Sequence, residues 1–253
     1  MVIVIPMAGR GTRFINHGID TPKPFIAVAG RPMVAWAYES VSHLPTSRIV
    51  FVVLADHARR YGFDRLARTI AGHRAAIVEL DGVTEGQMCT VLAARAYIDT
   101  EEDLLVASAD TWVDSDLGRD IQNRPDECRG LISVARLPGD QWSFAAVNDA
   151  GRVTRVAEKE RVSPLASTGL YYFSSGREFV EAADEIITSG MRTRGEYYVI
   201  PVYRRYIEMG RFVGVSEART VWDMGTPDAL HHFEEHVNAE RNGLVPPETH
   251  ADD

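Results

Sequence analysis

The sequence predicts an α/β fold in which a mainly parallel sheet is covered by helices on both faces. The first half of the chain alternates short apolar runs with helical patterns, and this β-α-β-α-β-α-β order favours a parallel sheet with right-handed crossovers. The length of 253 residues fits one large α/β domain. We expect that domain over residues 1–240, with a flexible, Pro-rich and polar tail over residues 241–253.

Four strands are predicted in the first half, because short apolar runs are typical of fully buried parallel strands. They are Val2–Pro6, Ile49–Leu54, Ala76–Leu80 and Leu104–Ala107. Helical patterns lie between them at Met33–Ser42, Ala58–Ala71 and Gly86–Tyr97. Ligands of such sheets bind beyond the carboxyl ends of the strands, so we expect the functional residues there.

The second half of the chain is richer in strand-like segments. The runs GLISVARL, FAAVN, RVTRVAEK and ASTGLYYFS are short and separated by turn residues, which predicts a small β-rich subregion beside the main sheet. Helices are predicted at Arg177–Ile187, Glu196–Glu208 and Pro227–Ala239.

Composition narrows the classes of partner. A net charge of −9 argues against nonspecific nucleic-acid binding, which needs a basic face. We expect no membrane partner, because every apolar run is shorter than the roughly 20 residues that span a bilayer. The first apolar stretch also lacks a preceding basic segment. The two cysteines, Cys89 and Cys128, have no metal or redox spacing, and a cytoplasmic location follows as the simplest expectation.

The opening stretch VIVIPMAGRGTRF ends a strand in a glycine-containing loop. A P-loop would need Gly-Lys-Ser/Thr, whereas this loop reads Gly11-Thr12-Arg13. A dinucleotide fingerprint would need a third glycine where Phe14 stands. Both of these phosphate-binding readings are therefore weak.

A third kind of phosphate-binding loop is still compatible with these residues. Gly9 and Gly11 let backbone N–H groups approach an anion closely. Arg13 can fork onto phosphate oxygens, and Lys23 supplies a point charge. The alternative is a solvated turn with surface arginines, which the following Pro-Lys-Pro makes less favourable.

The segment AGRGTRF, followed by TPKPFIAVAGRPMV, resembles the signature of the nucleotidyltransferase superfamily. That superfamily includes sugar-1-phosphate nucleotidylyltransferases and cytidylyltransferases acting on phosphocholine-like acceptors. Further matches occur in the family's order over about residues 1–236: EGQMCTVLAA, ASADTWVD, EK, STGLYYF, GEYYV and WDMGTPDAL. The resemblance implies a Rossmann-like three-layer αβα architecture, the glycosyltransferase-A-like nucleotidyltransferase fold, with a β-rich acceptor subregion.

The implied reaction joins a nucleoside triphosphate to a phosphorylated acceptor and releases pyrophosphate. The acceptor phosphate is already an anion, so positioning and electrostatics should carry nearly all the catalysis. The resemblance assigns Arg13 and Lys23 as the catalytic basic residues. It assigns Asp110 and Asp223 as ligands of Mg²⁺, the expected cofactor. A cap or turn is the alternative for an isolated aspartate, and we expect that role for Asp114 and Asp116.

The nucleotide contacts implied by the resemblance come from the first half of the chain: Ala8, Gly9, Gly11, Thr12, Asp81 and Gly86. A carboxylate at Asp81 would accept a hydrogen bond from the cytosine amino group or from guanine, which favours CTP first and GTP second. Alternatively, Asp81 belongs to an Asp-Gly turn. Ala8 replaces the family's usual first glycine, a change more frequent among cytidylyl- and uridylyltransferases.

The acceptor contacts implied by the resemblance come from the second half: Trp142, Glu158, Lys159, Gly169 and Glu196. Lys159 matches a lysine that meets the acceptor phosphate, and Glu196 matches a glutamate that often holds sugar hydroxyls. Sugar-specific members carry an aromatic-glycine pair where this chain has Trp142 and Ser143. These two side chains would crowd a hexose, and the indole could stack on a smaller or cationic acceptor.

The sequence therefore predicts Mg²⁺-dependent nucleotidyl transfer from CTP to a small phosphorylated acceptor. The pattern most resembles the branch associated with capsule and surface-polysaccharide biosynthesis, and a homodimer is possible. Two alternatives stay open: a sugar-1-phosphate guanylyl- or uridylyltransferase, and a regulatory subunit that binds nucleotide without turnover. His232 and His236 lie one helical turn apart, and we expect a surface helix there instead of a metal site.

Overall fold

A ten-stranded mixed sheet forms the centre of the fold in the computed structural model, which describes residues 1–243. Twelve strands occur in these residues, and two of them, β2 and β3, pair with each other in a separate two-stranded sheet. The strands are β1 (Val2–Pro6), β2 (Ala27–Val28), β3 (Arg31–Pro32), β4 (Arg48–Leu54), β5 (Ala75–Leu80), β6 (Leu104–Ala107), β7 (Thr111–Ser115), β8 (Cys128–Arg136), β9 (Ser143–Val147), β10 (Val153–Glu158), β11 (Leu165–Phe173) and β12 (Phe212–Asp223).

Helices cover both faces of this sheet. They are α1 (Thr12–Ile15), α2 (Met33–Glu39), α3 (Ala55–Arg60), α4 (Phe63–Ala71), α5 (Gln87–Leu92), α6 (Arg95–Ile98), α7 (Leu117–Asn123), α8 (Gly176–Thr188), α9 (Ile200–Glu208) and α10 (Pro227–Arg241). Among residues 1–243, no helix has the length and apolar character needed to cross a membrane.

The strand order separates a parallel half from a mixed half. The main path runs β5-β4-β1-β6-β11-β8-β12-β7. Strands β5, β4, β1 and β6 are parallel, whereas β11 is antiparallel to both β6 and β8. Strand β12 is parallel to β8 and antiparallel to β7. The β9–β10 hairpin joins the sheet where Phe144 pairs with Ala166 of β11. Of the four strand-like runs predicted in the second half, two form this hairpin, and the other two are β8 and β11 of the main path.

Alternation along the strands produces a core on each face of the sheet. In β1, Val2 and Val4 pack into one cluster, whereas Ile3 and Ile5 pack into the other. The central strand therefore buries nearly every side chain, as parallel strands covered on both faces do. A third cluster lies under α10 and includes Phe233.

The four first-half strands and the β-rich second half are confirmed, but three predicted helices differ from the structure. The helix predicted over 58–71 is interrupted at Gly62, whose φ of 59° is left-handed and ends α3 before α4 begins. The helix predicted over 86–97 divides into α5 and α6. The helix predicted from Glu196 begins later, at Ile200, because Glu196 belongs to a turn closed by a bridge to Thr193.

Four strands of the described residues were missing from the sequence prediction: the two-residue strands β2 and β3, and the longer strands β7 and β12. Strands β7 and β12 form an antiparallel pair that follows the mixed half of the sheet, and β12 carries the predicted metal ligand Asp223 at its end. The domain bounds of 1–240 and 241–253 stay a prediction, and residues 244–253 of the predicted tail lie outside the described residues.

Candidate active site

A cleft of about 430 Å³ opens beyond the carboxyl ends of the parallel strands. Its walls come from the loop after β1, the end of β6, the β9–β10 hairpin and the segment before α9. Most of the predicted site residues line it: Gly9, Gly11, Thr12, Arg13, Lys23, Asp110, Trp142, Glu158, Lys159, Gly169, Glu196 and Asp223.

A second cavity of about 380 Å³ adjoins the first. The two share Gly9, Gly11, Thr12, Gln87 and Glu196 in their walls. The remaining lining of the second cavity includes two more predicted nucleotide residues, Ala8 and Gly86. The site is therefore one cleft with two compartments that meet at the glycine loop.

The glycine loop exposes backbone to the cleft. A Cβ on Gly9 would have no atom within 4 Å, so this position offers open space to a ligand. Gly11 has a left-handed φ of 64° and directly precedes the short helix α1, which begins at Thr12. Ala8, which precedes these glycines, is buried.

The two predicted basic residues line the same compartment. Lys23 begins a single 3₁₀ turn, and Phe25 at its end stacks on Tyr61 with ring centroids 4.8 Å apart. This packing fixes the turn, and the Lys23 ammonium contacts the Asp110 carboxylate. Arg13 is exposed and lines the same compartment, so its guanidinium can reach an anion bound there.

Asp110 and Asp223 approach each other from different parts of the sheet. Asp110 follows β6, Asp223 ends β12, and the backbone N–H of Met224 donates to the Asp110 carbonyl at 2.8 Å. A Cβ built on Gly225 would lie 2.7 Å from Asp223 Oδ1 and 3.5 Å from Asp110 Oδ2. Both carboxylates therefore lie next to the same position. Asp223 is there because it is the last residue of β12.

The electrostatics of this pair suit a cation. The pKa of Asp223 is raised, mainly by partial burial and then by the charge of Asp110. The N–H of Gly225, which donates to Asp223 Oδ1 at 2.8 Å, opposes the rise, as do Lys23 and Arg13. Two neighbouring carboxylates in the cleft are oxygen donors of the kind that Mg²⁺ prefers.

The two other acidic residues near Asp110 serve a different purpose. Asp114 lies within β7, and its carboxylate accepts hydrogen bonds from Nε and Nη2 of Arg219 at 2.9 and 2.6 Å. Asp116 precedes α7 without a side-chain cap bond, and it contacts Arg219 at 2.7 Å. The predicted turn or capping role is therefore wrong for Asp114, which lies within β7 and pairs with Thr220 of β12. Arg219 lies at an irregularity of this pairing, and its side chain contacts both aspartates.

The histidines of α10 match the predicted surface helix. His232 is exposed, whereas His236 stacks on Trp222 with ring centroids 4.4 Å apart. Within residues 1–243, no group of three or more His, Cys, Asp or Glu side chains forms a metal-binding cluster.

Gly86 is required by a close approach of two backbones. Its φ is 139°, and a Cβ there would overlap the carbonyl of Tyr197 and lie 2.6 Å from its nitrogen. The contact is held by hydrogen bonds from Tyr197 N to Glu85 O at 2.9 Å and from Met88 N to Tyr197 O at 3.0 Å. Gly86 thus anchors the segment before α9 against the start of α5.

Asp81 lies apart from the other predicted nucleotide residues. It is exposed and does not line either compartment, whereas Val83 and Thr84, just beyond it, line the smaller one. Its role toward a base stays a prediction.

The acceptor-side residues form a connected polar wall. The Glu158 carboxylate, with 6% of its side chain exposed, accepts from the Ser143 hydroxyl and lies 4.0 Å from the Lys159 ammonium. Burial raises the pKa of Glu158, an effect that Ser143 and Lys159 partly offset. Trp142 donates its Nε1 hydrogen to the Pro138 carbonyl at 2.9 Å, which fixes the indole at the edge of the cleft.

Gly169 occupies an irregularity in β11. The pairing of β11 with β8 shifts register between Ser167 and Tyr171, and Gly169 has a left-handed φ of 86°. A Cβ there would overlap the Ser108 hydroxyl, so only glycine lets β11 pass beside the Ser108 segment.

Sequence reasoning missed several residues that line the main compartment: Gln87, Ser108, Tyr171 and Tyr198. For Tyr198, the small number of lysines in the sequence is an indirect signal. The chain has 27 basic residues, of which two are lysines, Lys23 and Lys159, and both line this compartment. Tyr198 contacts one of them.

Comparison with known proteins agrees with this geometry. The model of the family described as nucleotidyl transferase matches residues 2–240. UTP--glucose-1-phosphate uridylyltransferase AglF of Haloferax volcanii is 25% identical over 254 residues, covering 95% of this chain and 98% of the relative. Bifunctional protein GlmU of Bordetella petrii is 27% identical over 236 residues, covering 87% of this chain. This chain spans 48% of the length of that GlmU.

The fold also resembles a solved structure along nearly its whole length. A nucleoside-diphosphate-sugar pyrophosphorylase from Vibrio cholerae superposes with a TM-score of 0.79 at 29% identity. The match covers 92% of this chain and 99% of that one. The mixed, mainly parallel sheet and its flanking helices are therefore shared with a protein of the same class.

Proposed function

We propose a reaction for this chain, which belongs to the nucleotidyl transferase family. It transfers a nucleotidyl group from a nucleoside triphosphate, CTP in our proposal, to a small phosphorylated acceptor, with Mg²⁺ as cofactor. The products are pyrophosphate and an acceptor activated as its nucleoside diphosphate derivative.

One observation carries this proposal. The carboxylates of Asp110 and Asp223 and the cations of Lys23 and Arg13 all line one compartment, next to the glycine loop shared with the second compartment. A triphosphate spanning the two compartments would place its α-phosphate near these charges. Lys159 also lines this compartment, so a second phosphate has a cation of its own.

This arrangement suits a displacement between two anions. An oxygen of the acceptor phosphate attacks the α-phosphorus, and the bond from that phosphorus to the bridging oxygen breaks, releasing pyrophosphate. Arg13 and Lys23 offset the charge on the nucleotide, while Lys159 orients the acceptor phosphate. Asp110 and Asp223 would hold Mg²⁺, which neutralises phosphate charge when bound.

The choice of CTP follows from the carboxylate of Asp81. Asp81 is exposed and lies two residues before Val83, which lines the smaller compartment. A carboxylate accepts from the cytosine amino group and repels the carbonyl that uracil has at that position. UTP is the second candidate, because the relative AglF, similar along the whole chain, is named as a uridylyltransferase.

The acceptor in our proposal is a phosphate ester smaller than a hexose phosphate. Trp142 and Ser143 occupy the acceptor wall, the indole is fixed by its hydrogen bond, and Ser143 is buried. A hexose 1-phosphate is the second candidate, again from the name of AglF. The expected connection with capsule or surface polysaccharides, and a homodimer, stay predictions.

Pyrophosphate release with each of the four NTPs, crossed with a panel of phosphorylated acceptors and with or without Mg²⁺, tests the proposal. We expect turnover with CTP, dependent on Mg²⁺ and on a small phosphate ester. A clear preference for UTP or dTTP would contradict the base assignment and leave nucleotidyl transfer intact. Nucleotide binding without turnover across the whole panel would favour a regulatory subunit.

A further inference from the structure

Tyr198 connects two predicted acceptor residues that come from separate segments of the chain. Its hydroxyl contacts the Lys159 ammonium, whose nitrogen also lies 4.5 Å from the centroid of the Tyr198 ring. The hydroxyl also interacts with the Glu196 carboxylate. All three side chains line the main compartment.

The backbones on both sides of this connection are fixed independently. Lys159 has a left-handed φ of 54°, and its N–H donates to the Trp142 carbonyl at 2.8 Å, closing the open end of the β9–β10 hairpin. Tyr198 follows Tyr197, whose backbone is packed against Gly86. The Tyr198 hydroxyl is therefore set in place before the flexible Lys159 side chain meets it.

Hydrogen-bond counting gives the hydroxyl a defined orientation. A lysine ammonium has three donors and no acceptor, so Lys159 must donate to a lone pair of the Tyr198 oxygen. The hydroxyl proton is then free to point to Glu196. The pKa of Tyr198 is raised, first by burial and then by this hydrogen bond with Glu196, so the phenol keeps its proton near neutral pH.

We infer that Tyr198 is a positioning residue that holds the Lys159 ammonium toward the phosphate of the acceptor, with Glu196 orienting the Tyr198 hydroxyl. The inference rests on the proposed function for the identity of that phosphate. A free lysine side chain loses rotamer entropy when it binds an anion, and a hydroxyl that holds it in advance lowers this cost.

The composition of the chain allows a direct test. Protein labelled with ¹³C in lysine gives side-chain NMR signals from two residues, Lys23 and Lys159, and the Lys159→Arg variant assigns them. Titration with inorganic phosphate then reports binding at each lysine separately. We expect phosphate to shift the Lys159 signal in the wild-type protein.

The Tyr198→Phe variant retains the ring and removes the hydroxyl. We expect the affinity for inorganic phosphate read at Lys159 to fall about tenfold, and the affinity read at Lys23 to change less than about twofold. Tyr97→Phe, in α6 and outside both compartments, is the matched control. Equal phosphate affinities in the wild-type protein and Tyr198→Phe, or no phosphate response of Lys159 in the wild-type protein, would overturn the inference.

Two further measurements separate this inference from its premise. If an acceptor in the panel is turned over, Tyr198→Phe should raise the KM of that acceptor about tenfold and leave the KM of the NTP unchanged. If no acceptor is turned over, the proposed function fails, and the phosphate titration still decides the role of Tyr198. Should Tyr198→Phe melt early, Glu196→Gln provides the second variant, with a smaller loss of affinity at Lys159 expected.

Discussion

The nucleotide side and the acceptor side of the cleft differ in whether backbone or side chains form their surface. The nucleotide side consists largely of backbone, with Gly9, Gly11 and Gly86 at its turns and close approaches. The acceptor side consists of side chains that contact one another, such as Glu158 and Lys159. A backbone surface suits the triphosphate that all such reactions share, whereas a wall of side chains can change with the acceptor.

The two sides also depend on distant parts of the fold in different ways. The glycine loop follows β1 directly, so local sequence is enough to form it. The acceptor wall needs the β9–β10 hairpin, the irregular strand β11 and the segment before α9 to meet. Sequence motifs therefore identify the nucleotide side more readily than the acceptor side.

The largest effect is expected at the pair of carboxylates, Asp110 and Asp223, in the main compartment. Asp223→Asn keeps the shape of the side chain and removes its charge beside Asp110, so we expect turnover to fall by about 10³-fold. Pyrophosphate release over a range of Mg²⁺ concentrations measures the loss, and the melting temperature should not fall. The control is Asp64→Asn on exposed α4. Activity within about threefold of wild type would remove Asp223 from the site.

The next effect separates two glycines of the nucleotide side. Gly86→Ala places a Cβ into the Tyr197 backbone, so we expect a loss of about 2 kcal/mol in the free energy of unfolding. Gly9→Ala meets no protein atom within 4 Å, so stability should hold while the added methyl group raises the KM of the NTP. Denaturant melts and NTP kinetics measure both. Equal stability of the two variants would contradict the close approach at Gly86.

A smaller effect concerns the buried acid of the acceptor side. Because burial raises the pKa of Glu158, the folded protein binds its proton more tightly than the unfolded chain does. The stability that this proton provides is present below the unfolded pKa and is lost as pH rises through the folded pKa. We expect Glu158→Gln to be more stable than wild type by about 1 kcal/mol at neutral pH, and the difference to shrink in acid.

Chemical denaturation of both proteins across this pH range tests the expectation. The same substitution at the exposed Glu79 gives the background. A gap between wild type and Glu158→Gln that grows as pH falls would reverse the sign and contradict the assignment. Turnover of Glu158→Gln should be impaired even where the variant is more stable, which distinguishes binding from folding.

The smallest effect is expected outside the cleft, in the pair of strands that carries Asp223. Arg219→Gln removes the exposed ion pairs with Asp114 and Asp116. Such pairs stabilise by about 0.5 kcal/mol and are screened by salt, so the melting temperature should fall slightly and turnover should not change. A loss of turnover comparable to that of Asp223→Asn would show that these residues hold β12 at the active site.

The sequence predicted some elements of the fold correctly and missed or misplaced others. Apolar runs identified β1, β4, β5 and β6, because burial on both faces makes such strands apolar throughout. Strand β12 was missed because its second half is polar and only partly buried, which weakens the periodic signal. The start of α9 was misplaced because Glu196 lies in a turn bridged to Thr193, and the helix begins at Ile200.

From the sequence alone one can identify the family, the strands of the first half in their order along the chain, and the motifs that carry Arg13, Lys23, Asp110 and Asp223. Each of these depends on neighbouring residues. Three contacts are visible in the tertiary structure alone: Asp110 and Asp223 lie next to the same position, Arg219 pairs with Asp114 and Asp116, and Tyr198 contacts Lys159. These contacts join residues far apart in the chain, and strand pairing and backbone packing fix such distances where local composition cannot.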